Sequence, residues 1–276
     1  MPLSYDALEV PQEIREMFEG GDVFDNFMAL QGEVFRDVPG RRTLRFEANG
    51  KSYFVKQHYG VGWREIFKNL FSLRLPILSA ATEARAIRKL DGLGIPTTPL
   101  VAYGCRGANP ASLQSFVVTQ DLGDIISLET LCADWARHPP ELRFKRRLLH
   151  AVAEMARKFH DNGMNHRDFY ICHFCLDKER LIKGDTHLYL IDLHRVGIRP
   201  EIRPRDRMKD MAALYFSAMN IGLTRRDYLR FLKIYRQKPL REILNSETAF
   251  WKKVSRRAQF LFSKFHGRMP VDTFNK

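Results

Sequence analysis

Four side chains far apart in the chain are of the types that move a phosphoryl group: Lys56, Glu83, Asp168 and Asp192. In GMNHRDFYICHF, residues 163–174, Asp168 closes a His-Arg-Asp tripeptide after a Gly-containing turn. A carboxylate there can accept a hydrogen bond from an attacking hydroxyl and align it with a γ-phosphate. In LYLIDLH, four strand-forming residues lead to Asp192, whose hard oxygens suit Mg²⁺. Lys56 stands near the end of the strand-like run KSYFVKQ. In SAATEARAIRKL, Glu83 shares a helix face with Ile87 and Leu90. A carboxylate on an apolar face is costly unless a cation meets it, and Lys56 is the natural partner. Phosphotransfer uses such a pair to hold the lysine against the α- and β-phosphates of a nucleotide. Singly these are a strand lysine, two turn aspartates and a common tripeptide; their order along the chain is the specific signal.

Five positions after Asp168 comes His173, where phosphotransfer loops often hold an Asn whose amide oxygen helps bind a metal ion. Imidazole is a poorer ligand for Mg²⁺ and a better one for Mn²⁺. Direct ligation, a hydrogen bond to phosphate and support of Asp192 are all open to it at this stage.

These residues need a scaffold. The run VFRDV, Pro39-Gly40, RTLRFEA, Asn49-Gly50, KSYFVKQ reads as a β-meander over Glu33–Gln57, with Asn-Gly as a strong hairpin signal. An acidic helix is expected around Pro11–Glu19, a helix from Ser79 to Leu90, and strands at LVAYG and SFVVT. Trp63, Phe67, Leu70 and Phe71 stripe one face of GVGWREIFKNLFSLRL, beside Arg64 and Lys68. Beyond Gly123 the character changes. RRLLHAVAEMARKFHDNG carries a helical stripe from Leu148 to Phe159 and stops at Asn162-Gly163. A hairpin follows, with strands near Ile171–Leu176 and His187–Ile191, then helices at Met208, after Thr224 and through FWKKVSRRAQFLFSKF. Strand alternation turns Cys172 away from His173 and Cys175, which argues against zinc there. The expected class is α+β in two lobes: an antiparallel-sheet lobe over 1–122 and a mostly helical lobe over 123–276.

The chain of 276 residues carries a formal charge of +13, unevenly spread. Residues 1–30 hold seven acids and one base, whereas Arg225 to Arg268 hold thirteen bases and three acids. Such a field draws polyanions: nucleic acid, an anionic membrane, a phosphorylated glycolipid or an acidic protein. The start MPLSYDALEV lacks the pattern of a signal peptide, no apolar run has the length of a membrane span, and four scattered cysteines suit a reducing compartment. The expected location is the cytoplasm.

The pieces LQGEVFRDVPGRRTLRFEANGKSYFVK, NHRDFYICHF, IDLHR and KDMAALYFSAMNIGLTRRDYLRFL resemble the lipopolysaccharide core heptose kinases, a bacterial branch of the protein-kinase-like superfamily. That family also has His within HRD-x-YICHF. The resemblance implies a two-lobed kinase-like fold and transfer from ATP, with Mg²⁺, to the 4-hydroxyl of the first heptose on Kdo-lipid A. It places the work at the cytoplasmic face of the inner membrane. It implies Asp168 as base, Lys56 and Glu83 at the phosphates, Asp192 and His173 at the metal, and Gln120 to Leu122 as the backbone hinge for adenine. Asp210 would brace the His-Arg-Asp backbone. With no G-x-G-x-x-G present, Arg41 or Arg42 would meet phosphate; with no Ala-Pro-Glu after Asp192, a small or sugar acceptor is favoured over a peptide. Arg205, Arg225 and Arg226 are candidate contacts for the acidic acceptor. Rival readings are a Kdo kinase, a protein kinase, a silent kinase fold that binds a partner, and a basic nucleic-acid binder, whose charge would leave the ordered carboxylates without a purpose.

Overall fold

Strand parity decides which face of the first sheet each side chain takes. The structure, a computed structural model, describes residues 7–60, 62–63 and 79–269. It opens with β1 (Ala7–Glu9), α1 (Gln12–Arg15) and α2 (Val23–Ala29), then β2 (Glu33–Val38), β3 (Arg41–Ala48) and β4 (Lys51–His58). Next come α3 (Ala81–Gly92), β5 (Leu100–Arg106) and β6 (Gln114–Gln120). The strands form one antiparallel sheet in the order β1-β5-β6-β4-β3-β2. Asn49 and Gly50, at φ 50° and 70°, make the tight turn that their sequence demands between β3 and β4.

On one face Leu44, Phe46, Tyr53, Val55, Phe116 and Val118 pack with Ile14, Phe24 and Phe27 from the helical N-terminal segment. Lys56, between Val55 and Gln57, therefore points to the other face, as does its cross-strand neighbour Val117. On that face Val117 packs with Ala80, Ala81 and Ala84 at the start of α3. Small residues let the helix sit close to the sheet, and this brings Glu83 over Lys56.

The expected acidic helix shortens to Gln12–Arg15. Met17 and Phe18 leave the helix to pack against the sheet core, Phe18 meeting the Phe27 ring edge-on at 5.0 Å. The three-residue β1, unforeseen in the sequence, pairs with β5.

The chain divides into two compact units. The first is Met1–Gly92, Thr97–Gly123 and Asp192–Arg195; the second is Leu93–Pro96, Asp124–Ile191 and Val196–Lys276. The second unit holds β7 (Ile125–Ser127), α4 (Leu128–Leu131), α5 (Leu142–Asp161), β8 (Met164–Asn165), β9 (Phe174–Asp177), α6 (Lys178–Ile182), β10 (Leu188–Leu190) and β11 (Gly197–Ile198). It continues with α7 (Pro204–Ser217), α8 (Arg225–Arg236), α9 (Leu240–Ser246) and α10 (Thr248–His266). Thr224 and Asp227 form the capping box that starts α8, and Lys145 of α5 reaches the buried Asp227 at 2.9 Å. Among α5, α7, α8 and α10 lies a cavity of about 410 Å³, lined by apolar side chains such as Leu148, Val152, Met211, Leu214, Leu232 and Val254.

Gly163 ends α5 with φ 72°, and a Cβ there would lie 1.9 Å from the Arg199 carbonyl oxygen. The Arg199 amide donates to the Gly163 carbonyl, and β8 pairs with β11 just beyond. The His-Arg-Asp loop thus leaves from a fixed edge.

Ile171–His173, expected as strand, is a 3₁₀ turn. Phe169 and Ile171 are both buried, and their spacing of two imitates a strand in sequence. Alternation therefore does not describe Cys172, His173 and Cys175. What disfavours zinc at Cys175 is burial, which lifts its thiol pKa to about 11, away from the thiolate a metal needs.

His58, the last residue of β4, is 3% exposed, and its Nε2 has no hydrogen-bond partner among the described residues. Burial, then Arg41, Lys56 and His194, push its pKa down to about 3. The unfolded chain binds a proton near pH 6.5 and the folded chain does not, so stability is full above pH 6.5 and falls with pH toward 3. This residue should withdraw about 2 kcal/mol between pH 7 and pH 5. Urea unfolding at both pH values should show a smaller loss for His58→Gln; an equal loss refutes the assignment.

Candidate active site

In the first unit, Lys56 Nζ lies 2.6 Å from Glu83 Oε1 and 3.9 Å from Asp192 Oδ1. The Glu83 side chain is 4% exposed, and its second oxygen is buried with no hydrogen-bond partner among the described residues. Asp192 has φ 62°, and its Oδ1 sits 2.5 Å from His194 Nδ1. His194 thus orients the carboxylate. Arg41, half-buried, has its pKa lowered by burial and then by Arg36, while the charges of Asp192 and Glu83 oppose that shift. Arg42 instead faces Asp37 at 3.6 Å, so Arg41 is the arginine that belongs to this group. At the end of β6, the Gln120 amide donates to the Pro99 carbonyl and the Asp121 amide to the Ser52 carbonyl.

In the second unit the His-Arg-Asp backbone is held by Asp210 of α7, which is 1% exposed. Asp210 Oδ2 accepts from the His166 amide at 2.6 Å and Oδ1 from the Arg167 amide at 3.0 Å. Arg167 has φ 71°. Four described non-glycine residues have positive φ; Asn49 is in a hairpin and Gln237 caps a helix, leaving Arg167, which precedes the expected base Asp168, and Asp192, the expected metal ligand.

His173 Nδ1 lies 2.6 Å from the Asp168 carbonyl oxygen, and its ring stacks on His166 at 5.5 Å. A carbonyl only accepts, so Nδ1 carries the proton and the Nε2 lone pair is the one that can ligate. The imidazole thereby ties down the main chain of the residue expected to act as base.

Two members of this network escape a reading of the sequence. The fully buried His160 of α5 places Nε2 3.3 Å from Asp210 Oδ2 and Nδ1 2.7 Å from the Tyr235 hydroxyl. An ionised Asp210 requires Nε2–H to donate, which makes Nδ1 the acceptor of the Tyr235 proton. The sequence signal was a histidine on the buried stripe of α5, one position after Phe159.

Arg205 lies exposed in the first turn of α7; Arg225 and Arg226 lie exposed in the first turn of α8. Trp63 is 51% exposed, and Arg64, Phe67, Lys68, Leu70 and Phe71 lie outside the described residues. No helix among the described residues is long and apolar enough to cross a membrane.

A model of the lipopolysaccharide kinase (Kdo/WaaP) family matches residues 25–235. The chain is 47% identical over 258 residues to the lipopolysaccharide core heptose(I) kinase WaaP of Pseudomonas aeruginosa, covering 93% of this chain and 96% of that protein. It is 48% identical over 241 residues to the protein of the same name in Escherichia coli K12, covering 87% and 91%. A solved structure of WaaP in complex with acyl carrier protein superposes with a TM-score of 0.81 at 44% identity, covering 93% of this chain and 99% of that one.

Tyr235→Phe should keep the ring contacts to Phe231 and Trp251 and lose only the bond to His160. Turnover should fall on the order of tenfold with the ATP KM unchanged, as a loosened catalytic loop implies. The ¹⁵N resonance of His160 Nδ1 should shift as well; an unmoved resonance would remove Tyr235 from the network.

Proposed function

The chain belongs to the lipopolysaccharide kinase (Kdo/WaaP) family, and we propose that it works as a core heptose(I) kinase, moving the γ-phosphoryl of ATP to the 4-hydroxyl of the first inner-core heptose. It is a phosphotransferase with the kinase-like α+β fold. The observation that carries the mechanism is the half-buried Lys56 paired with the buried Glu83 beside Asp192. A lysine so held, with Asp192 Oδ1 3.9 Å away, is a donor set that fits a nucleotide phosphate chain and a hard divalent ion.

In this mechanism Glu83 keeps Lys56 extended toward the α- and β-phosphates, and Arg41 supplies the cation that a glycine-rich loop would otherwise replace with amides. Asp192, oriented by His194, would hold Mg²⁺ or Mn²⁺, with His173 Nε2 as a second ligand. The bound ion would neutralise charge building on the phosphates. Asp168 accepts the hydrogen bond of the heptose hydroxyl and aligns it for in-line attack. By the family resemblance, backbone groups of Gln120 to Leu122 would meet adenine, the Gln120 and Asp121 amides being already bonded.

The acceptor carries Kdo carboxylates and lipid A phosphates, so the chain's positive charge needs no nucleic acid to account for it. Arg225 and Arg226 sit at the positive end of the α8 dipole, where cations do not help the helix. Their use is better sought in binding the acceptor, together with Arg205. Such an acceptor places the enzyme at the cytoplasmic face of the inner membrane, in peripheral contact with it.

The solved neighbour was captured with acyl carrier protein. An acidic partner of that kind suits the basic carboxy-terminal third.

Purified enzyme with ATP and Mg²⁺ should phosphorylate heptosylated Kdo-lipid A and leave Kdo-lipid A without heptose untouched. Asp168→Ala should lower turnover on the order of a thousandfold while nucleotide binding persists. Neutralising Arg225 and Arg226 should raise the acceptor KM more than the ATP KM. Turnover of the heptose-free acceptor would instead make this a Kdo kinase.

A further inference from the structure

α10 carries five bases, Lys252, Lys253, Arg256, Arg257 and Lys264, and no acid. Lys252–Arg256 and Lys253–Arg257 are like-charge pairs four residues apart, an arrangement that weakens a helix. The charge therefore does not serve the fold. At 3.6 residues per turn, Lys253, Arg256, Phe260 and Lys264 fall within an arc of about 80°, and all four are exposed. The buried Val254, Ala258 and Phe262 lie on the far side of the helix, as do Trp251 and Ser255, which line the apolar cavity. The outer face is thus distinct from the cavity wall.

The end of the helix adds apolar surface. Phe260 is 62% exposed, Phe265 76% and Met269 65%. Gly267, with φ 66°, terminates the helix and sets Arg268 and Met269 just past its last turn. Single exposed apolar residues are ordinary, but Phe260 sits among Lys253, Arg256 and Lys264 on one face, whereas Phe265 turns toward Phe216 of α7 and Arg268 lies over the Phe262 ring. A protein partner would need a matching concave socket for the Phe260 ring. A fluid apolar layer under a sheet of negative charge adapts to it without one.

We propose that the outer face of α10 forms a docking surface for an anionic lipid bilayer. Phe260 enters the boundary between headgroups and acyl chains, and Lys253, Arg256 and Lys264 meet lipid phosphates. Only the use of this contact, access to a lipid-linked sugar, rests on the heptose-kinase reading. With no spanning helix among the described residues, α10 lies on the surface rather than through it.

The test is sedimentation of the full chain with vesicles rich in phosphatidylglycerol and with vesicles of phosphatidylcholine alone. The wild-type chain should sediment with the first and not the second, and added salt should release it. Each base near an anionic surface is worth about fivefold in partition, so combining Lys253→Gln, Arg256→Gln and Lys264→Gln should weaken binding on the order of a hundredfold. Phe260→Ser should weaken it severalfold. Both variants should keep the wild-type melting temperature and the turnover of a soluble, deacylated heptose acceptor. A wild-type chain that ignores anionic vesicles, or variants that sediment as it does, overturns the proposal. So does binding by this face to an acidic protein but not to vesicles. Vesicle binding without any heptose phosphorylation would sink the kinase reading and leave this one standing.

Discussion

Glu83 is the point on which the site depends. Its carboxylate sits buried on an alanine-rich helix face, against the ammonium of Lys56 at 2.6 Å. A well-packed apolar pair in the same place is often as stable as a buried ion pair or more so. The fold therefore does not call for this pair, and we propose that a ligand needing a lysine held extended does. The same face of the sheet brings Asp192 to 3.9 Å from that lysine, with His194 orienting its carboxylate. Two carboxylates and a lysine on one surface invite phosphate oxygens and a hard cation together.

The second unit is organised with equal economy. Asp210 spends its two oxygens on consecutive amides of the His-Arg-Asp loop, where Arg167 takes a left-handed φ. Such a conformation persists only where its surroundings over-determine it. His160 and Tyr235 extend the brace into α5 and α8, and His173 secures the Asp168 carbonyl. The loop that presents the expected base is fixed from three helices and one neighbouring ring.

Much of this was legible in the chain because periodicity writes faces into sequence. The Asn49-Gly50 hairpin fixed the register that points Lys56 away from the Val55 core, and the spacing of Glu83, Ile87 and Leu90 announced a carboxylate on a buried face. The Thr224–Asp227 box marked the start of α8 to the residue. What failed was local pattern under tertiary pull. Met17 and Phe18 left their helix for the sheet core, and the buried pair Phe169 and Ile171 made a 3₁₀ turn look like a strand. His160 and Tyr235 stand 75 residues apart, so no spacing rule could have joined them.

The account turns on whether Glu83 exists to prepare Lys56 for a nucleotide. Calorimetric titration of ATP with Mg²⁺ into the wild-type chain and Glu83→Gln asks this directly. The prediction is a dissociation constant raised on the order of tenfold, about 1.4 kcal/mol, with a melting temperature close to that of the wild type. An unchanged affinity in a folded Glu83→Gln variant would contradict the account, because the pair would then be structural and the lysine indifferent to the phosphates.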